Sequence, residues 1–345
     1  MEREIKHLEN LLVECKKISI VTHFNPDGDA IGSSLALHHY FKSLNLVSNV
    51  ITPNRHPSFL DWVPGINDII IYDEDIEKSN EILTDSDLIF TMDFNSLDRC
   101  GDISNIINKE NQKIVMIDHH QLPENYADIN FSYPKISSTC EIVYFIIEAS
   151  NNLKLIDKNI AACIYLGMMT DTGSFQYNGV NSKTHKIIAE LISKGIIQSE
   201  IYNKVYNENS TSKLMILGKA LNSLNVLKEH KTTYMYLKRD ELKEHNYEKG
   251  DTEGVVNYGL SLKNIEFTAM FIEDLEDENL IKISFRSKNN SVIISPLLVS
   301  INALIVELSD FCDILHEKLI VNNNKIIFFL FIILMKFKFF YFFSK

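Results

Sequence analysis

From Lys17 to Lys194, short β-branched runs alternate with longer segments at helical spacing, and this rhythm restricts the chain more than any single residue does. Ile18–Thr22, Ser48–Thr52, Asp87–Asp93 and Lys113–Asp118 are nearly continuous apolar stretches. A strand covered on one face alternates apolar with polar residues, whereas a strand covered on both faces reads as these do. Between and after them lie helical segments. Ala30–Leu44 carries Ile31, Leu35, Phe41 and Leu44 at helical spacing. Ser137–Ala149 opens on a Ser-Ser-Thr capping stretch and then buries Ile142, Val143, Phe145 and Ile146. Asn159–Thr170 is a further helix, closed by the glycine of Asp171–Phe175 (DTGSF). The expected fold class is α/β, with an open, mostly parallel sheet in the N-terminal domain.

At 345 residues the chain is long enough for two domains, each with its own core. The expected division is a first domain over 1–195, a helical linker over 196–227, and a smaller, incomplete α+β domain over 228–288. In the last of these, Thr232–Leu242, Ile265–Asp274 and Leu280–Ser287 read as antiparallel strands, with Asp274–Asn279 as a polar hairpin turn. Residues 289–345 differ in composition from everything before them. Ile326–Met335 is a run of ten apolar residues, after which Lys336 and Lys338 interrupt it. A spanning helix needs roughly 20 apolar residues, so a low-complexity tail is expected rather than a membrane anchor.

Five cysteines, odd in number, far apart and never in a CxxC pair, argue against a disulfide framework and a thiolate zinc site. A reducing cytoplasm is the expected location. The N-terminal stretch Met1–Lys17 is charged and amphipathic, without the apolar centre of a signal peptide. With 34 basic against 46 acidic residues and a net charge of −12, the chain has no basic track for long nucleic acid. An acidic protein can still hold phosphate through bridging cations.

Four short segments concentrate residues able to do chemistry. Thr22–Ala30 (THFNPDGDA) follows the first strand and opens a helix, which puts His23, Asp27 and Asp29 in one strand-to-helix loop. Asp93 ends the third strand, Asp118-His119-His120 ends the fourth, and Asp171 ends a helix. In an open α/β sheet the functional crevice lies outside the carboxyl ends of the strands, so these side chains are expected to converge. Each alone reads as a cap or turn residue, or as a locally satisfied imidazole. That is the expectation for His38, His39, His7, His56, His185, His230, His245 and His316. Joint placement at one sheet edge is different, because crowded carboxylates raise one another's pKa unless cations neutralise them. Mixed imidazole and carboxylate donors suit Mn²⁺, with Mg²⁺ as the alternative. A pair of such ions about 3.5–4 Å apart is the usual arrangement for hydrolysing phosphate esters.

The segment His23–Leu37, the strand-end Asp93, the triplet Asp118-His119-His120 and Asp171–Phe175 together resemble the DHH phosphoesterase superfamily. Asp251–Tyr258 (DTEGVVNY) and Phe285–Lys288 (FRSK) are similar to the branch of small-oligoribonucleotide nucleases that also dephosphorylate adenosine 3′,5′-bisphosphate. The resemblance spans roughly Ile18 to Lys288 and makes the second domain DHHA1-like. It implies two Mn²⁺ ions, one held by His23, Asp27 and Asp93, the other by Asp29, Asp93, His119 and Asp171. Asp93, as the bridge, His119 and His120 then form the catalytic group. His120 faces the scissile phosphate, and Asp118 orients the histidine pair. Arg286 is the expected substrate contact in the second domain. The family's Gly-Gly-Gly-His stretch has no counterpart in 289–345, which contains no glycine, so this tail reads as a frameshifted or degenerate remainder.

The resemblance thus implies a phosphohydrolase acting on short oligonucleotides and nucleotide phosphates; the acidic balance and the short apolar run add the expectation of no stable complex with long nucleic acid and no membrane association, with a homodimer left open. A cyclic-dinucleotide phosphodiesterase, an inorganic pyrophosphatase and a metal-binding remnant without full activity are the competing readings. The pyrophosphatase is disfavoured because only Arg286, Lys282 and Lys288 cluster in the second domain.

Overall fold

The computed structural model describes residues 2–288 apart from 108, 109, 178, 249, 278 and 279, so the expectations for the 289–345 tail lie outside the described residues. The chain divides into two compact units, the first ending at Glu208 and the second beginning at Asn209.

The first unit runs α1 (Glu2–Glu14), β1 (Ile18–Thr22), α2 (Gly28–Ser43), β2 (Ser48–Thr52), β3 (Ile70–Ile71), α3 (Ile76–Thr84), β4 (Leu88–Met92), β5 (Lys113–Asp118), β6 (Ile129–Ser132), α4 (Thr139–Ala149), α5 (Lys158–Asp171), α6 (Ser182–Ser193) and α7 (Gln198–Tyr202). A 3₁₀ segment, Leu97–Asn105, lies between β4 and β5. The six strands lie in the order β3-β2-β1-β4-β5-β6, every pair parallel. Each strand expected from sequence is present, with Asp87–Asp93 trimmed to Leu88–Met92. The short edge strands β3 and β6 are additional.

Along β4 the side chains divide between two cores. Leu88, Phe90 and Met92 join one cluster with residues of α1, α2, α4, α5 and α6, while Ile89 joins the other with Leu83, Cys100 and Ile103. Helices therefore cover both faces, the condition that the continuous apolar runs required. Leu35, Leu37 and Phe41 of α2 are fully buried, each stabilising the fold by about 1.5–3 kcal/mol. Gly32 lets α2 lie against α5, since a Cβ there would come within 2.6 Å of the Cys163 carbonyl oxygen.

Strand order reverses between β1 and β4: the chain moves outward from β1 through β2 and β3, then returns to the far side of β1. The crevice of a doubly wound sheet opens at such a switch point, beyond the carboxyl ends of the two strands. His23 follows β1 directly and Asp93 follows β4.

The stretch expected as one helical connector, 196–227, is instead divided. Ile201 and Val205 are buried in the first unit's core, and Ile216 and Ala220 in the core of the second. The second unit comprises α8 (Thr211–Asn222), β7 (Asn225–Leu227), β8 (Thr232–Leu237), α9 (Arg239–Glu244), α10 (Asn257–Leu260), β9 (Phe267–Glu273) and β10 (Ile281–Ser287). Its sheet has the order β10-β9-β8-β7. The all-antiparallel expectation is corrected here, because β8 and β9 pair in parallel. The helices α9 and α10 supply the crossover that a parallel pair needs. Arg239–Leu242, expected to continue the strand, turns helical where Glu241 Oε2 accepts the Lys238 amide at 3.0 Å. β9 and β10 are antiparallel, as expected.

Candidate metal centre

Five elements deliver the acidic and imidazole side chains to the crevice. The loop after β1 brings His23. Its Nδ1 donates to the Phe24 carbonyl at 2.9 Å, which fixes the tautomer and turns Nε2 toward Asp93 Oδ2, 3.6 Å away. Asp27 caps α2, with Oδ1 accepting the amides of Asp29 at 3.0 Å and Ala30 at 3.1 Å. Asp29, in the first turn of α2, is 0% exposed. Both of its oxygens receive amides from the start of α4, Oδ2 from Thr139 at 2.6 Å and Oδ1 from Cys140 at 2.9 Å.

Asp93, 2% exposed, sits just past β4 with φ +65°. That left-handed conformation is costly for a residue other than glycine and tends to accompany functional sites. Asp93 Oδ1 lies 3.5 Å from His119 Nε2 and 3.7 Å from His120 Nδ1, and it accepts the Thr139 hydroxyl at 2.7 Å. His119 Nε2 is also 3.0 Å from Asp171 Oδ2. His120 Nδ1 donates to Asp118 Oδ1 at 2.7 Å, while Asp118 Oδ2 is buried without a partner among the described residues.

Three overlapping groups result: His23, Asp27 and Asp93; Asp29, His119 and Asp171; and Asp93, His119 and His120. Within each, candidate donor atoms lie within 4.8 Å of one another. His23, Asp27, Asp29, Asp93, His119, His120 and Asp171, chosen from sequence, are thus brought together. Arg286 is an exposed residue of β10 in the second unit, where its Nη1 donates to the Phe285 carbonyl at 2.8 Å. Of the histidines expected to be locally satisfied, His38 meets Ser48 Oγ at 2.9 Å, His39 the Pro64 carbonyl at 3.0 Å, and His56 Asp61 at 3.0 Å.

The cluster carries unresolved charge. Burial alone would lower the His119 pKa, but Asp171, Asp93 and Asp29 overcome this and push it up to about 11. His23 is raised against burial by Asp93 and Asp27. Burial, then Asp93 and Asp171, drive the Asp29 carboxyl well above its ordinary range. Asp171 is raised by burial and by Asp27 against the pull of His119. Asp93 is held low, since His23, His120 and His119 together outweigh its burial. Without cations the group can settle only by protonating its imidazoles and sharing protons among its acids. Divalent cations relieve the same repulsion, and the mixed oxygen and nitrogen donors fit them.

Thr139 is the residue that sequence reasoning missed. Ser137-Ser138-Thr139 reads as a cap, yet one hydroxyl suffices for capping. Ser138 does it, accepting the Glu141 amide at 3.1 Å. The neighbouring hydroxyl is left to hold Asp93, and the surplus of hydroxyls is the signal that could have found it.

A doubly wound sheet with an Asp/His cluster able to hold metal at its switch point defines an α/β protein with a candidate metal centre, an architecture suited to phosphate-ester hydrolysis. The chain belongs to the DHH family of phosphoesterases, and residues 17–168 match the DHH family, N-terminal domain. An exopolyphosphatase-related protein from Bacteroides fragilis has a similar solved structure, with TM-score 0.80 and 43% identity over 84% of each chain. The bifunctional oligoribonuclease and PAP phosphatase NrnA of Bacillus subtilis is 26% identical over 270 residues, covering 77% of this chain and 80% of that protein. The cyclic-di-AMP phosphodiesterase GdpP of Bacillus subtilis is 28% identical over 204 residues, covering 56% of this chain but 30% of GdpP. Among the described residues no helix is long and apolar enough to cross a membrane.

Proposed function

We propose that this chain is a Mn²⁺-dependent phosphohydrolase that degrades short oligoribonucleotides to mononucleotides and removes the 3′-phosphate of adenosine 3′,5′-bisphosphate. The observation that carries this reading is the two-sided environment of Asp93, whose Oδ2 faces His23 while Oδ1 faces His119. A carboxylate so placed suits a bridge. One ion would be held by His23, Asp27 and Asp93, and the other by Asp29, Asp93, His119 and Asp171. Bound there, two divalent cations supply a water of lowered pKa and neutralise charge developing on phosphorus.

This chain's own residues do the rest. Asp118 accepts from His120 Nδ1, and in the imidazolium form Nε2 would also carry a proton and could donate it to a phosphoryl oxygen. The amides of Thr139 and Cys140 hold Asp29 in one orientation. Arg286 offers a fork of donors for a second phosphate. The substrate class follows the NrnA relatives, which align over most of their length. Its location would be a reducing cytoplasm, where the four described free cysteines would stay as thiols.

The test is hydrolysis by the purified full chain, with Mn²⁺, of a diribonucleotide, adenosine 3′,5′-bisphosphate and cyclic di-AMP in parallel. Turnover of the first two supports the proposal. Turnover of cyclic di-AMP alone would replace it with the GdpP-like reading. Cleavage of bis-(p-nitrophenyl) phosphate alone would mean intact chemistry without nucleotide recognition, and no turnover of any of these would favour a metal-binding remnant.

A further inference from the structure

We propose that Asn54 is a positioning residue of the metal centre, holding the loop that carries His23 and Asp27 in its ligand-bearing shape through Asn25. This rests on the two-ion reading of the site and deepens it by naming what orders the ligands of one ion. The loop runs His23-Phe24-Asn25-Pro26-Asp27, so Asn25 stands midway between two candidate ligands. Its φ is +58°, and the residue after it is proline. The left-handed region is disfavoured for any residue but glycine, and a following proline pushes the backbone further toward extended shapes. Such a conformation persists only where its surroundings impose it.

Asn54 supplies that constraint. It lies just past β2, the strand that pairs in parallel with β1 on the side away from β4. Its Oδ1 accepts the Asn25 amide at 2.7 Å, and its Nδ2 donates to Asn25 Oδ1 at 2.9 Å, so two bonds close a ring between the two residues. Asn54 is 7% exposed, whereas Asn25 is exposed. The buried carboxamide is therefore the anchor and the loop residue is what it holds. On either side of Asn25 the bonds stay local: His23 Nδ1 donates to the Phe24 carbonyl, and Asp27 caps α2. From outside, the loop is held by this pair and by the Phe24 amide, which donates to the Arg99 carbonyl at 2.7 Å. The pair thus fixes the backbone between His23 and Asp27, two ligands of the same proposed ion. The ligands of the other are held elsewhere, Asp29 by the amides of Thr139 and Cys140, and Asp171 at the end of α5.

Calorimetric titration of the EDTA-treated full chain with Mn²⁺ tests this without recourse to turnover. Wild type should take up two ions. Asn54→Leu, of similar size, should weaken one of them about 10- to 30-fold, the worth of two neutral hydrogen bonds, and leave the other no weaker. Asn25→Gly keeps the amide that Asn54 accepts and takes the left-handed shape freely, so it should stay within about threefold of wild type. Asn25→Ala lacks both the side-chain bond and that freedom, and should lose as much as Asn54→Leu. A wild type that takes up fewer than two ions refutes the two-ion reading, whatever the variants do. Two wild-type ions with both affinities unchanged in Asn54→Leu overturn the role of Asn54 alone. Equal affinities in Asn25→Gly and Asn25→Ala overturn the route through the left-handed backbone, and this pair decides the matter if Asn54→Leu does not fold. Weakening of both ions together with a lowered melting temperature of the metal-free variant would mark a merely structural contact and overturn the positioning role.

Discussion

Thr139→Val isolates one hydrogen bond in the centre with little disturbance elsewhere. Valine has nearly the volume of threonine, and Ser138 keeps the cap of α4, so the helix should persist. What is lost is an O–H···O bond of 2.7 Å to a carboxylate that is 2% exposed. Bonds to buried charged groups are worth about 1.5–3 kcal/mol, and their loss here releases one oxygen of Asp93. At 1.4 kcal/mol per factor of ten, the Mn²⁺ affinity should fall about 10- to 100-fold, the range seen when residues supporting metal ligands are removed. The assay is calorimetric titration of EDTA-treated protein with Mn²⁺, with thermal melting of the metal-free variant as control. Thr139→Ser should retain the wild-type affinity. If Thr139→Val bound Mn²⁺ as tightly as wild type, or more tightly because a lone pair had been freed, the positioning role of the hydroxyl would be wrong.

Asp93→Ala should reduce Mn²⁺-supported turnover of a diribonucleotide to background and weaken both ion sites at once, and substantial residual turnover in excess Mn²⁺ would sink the bridging role. Because His119 is pushed up to about 11, it is protonated in the metal-free protein at neutral pH and must lose that proton to become a ligand. Mn²⁺ binding should therefore release protons and tighten from pH 6 to pH 8; titrations in two buffers of different ionisation enthalpy would detect this, and buffer-independent heats would contradict it. Burial pushes the thiols of Cys100 and Cys163 up, the former to about 12, so peptide mapping after iodoacetamide treatment of the native protein should find both unmodified. Since residues 289–345 contain no glycine from which to build a phosphate-binding wall, a 1–288 protein should keep the full-length KM for a diribonucleotide, and a steep rise would show that the tail contributes.

The central strands were legible because burial on both faces leaves a mark that no other environment leaves. Strands at the margin leave a weaker one. β3 is two residues long, and β6 alternates buried with exposed positions over four residues. The parallel pairing of β8 and β9 was hidden for a different reason: orientation is set by what lies between two strands, not by the strands. The convergence of His23, Asp93 and His119 could be read because each follows a strand, and parallel strands end at one edge. Thr139 was masked by a neighbour that does the capping it seemed to do.

The order of strands across the first unit also bears on when this protein can acquire metal. The seven clustered side chains run from His23 to Asp171, and no group of three is complete until Asp93 has been made. At about 5–20 residues per second, Asp171 leaves the ribosome roughly 7–30 s after His23. The sheet must meanwhile close β1 against β4 across an intervening β2–α3 excursion, a slow, non-local pairing. The full donor set for a cation would therefore exist only after β1, β4 and β5 have paired. Until a cation binds, burial in the two hydrophobic layers would have to carry the charge repulsion of the centre.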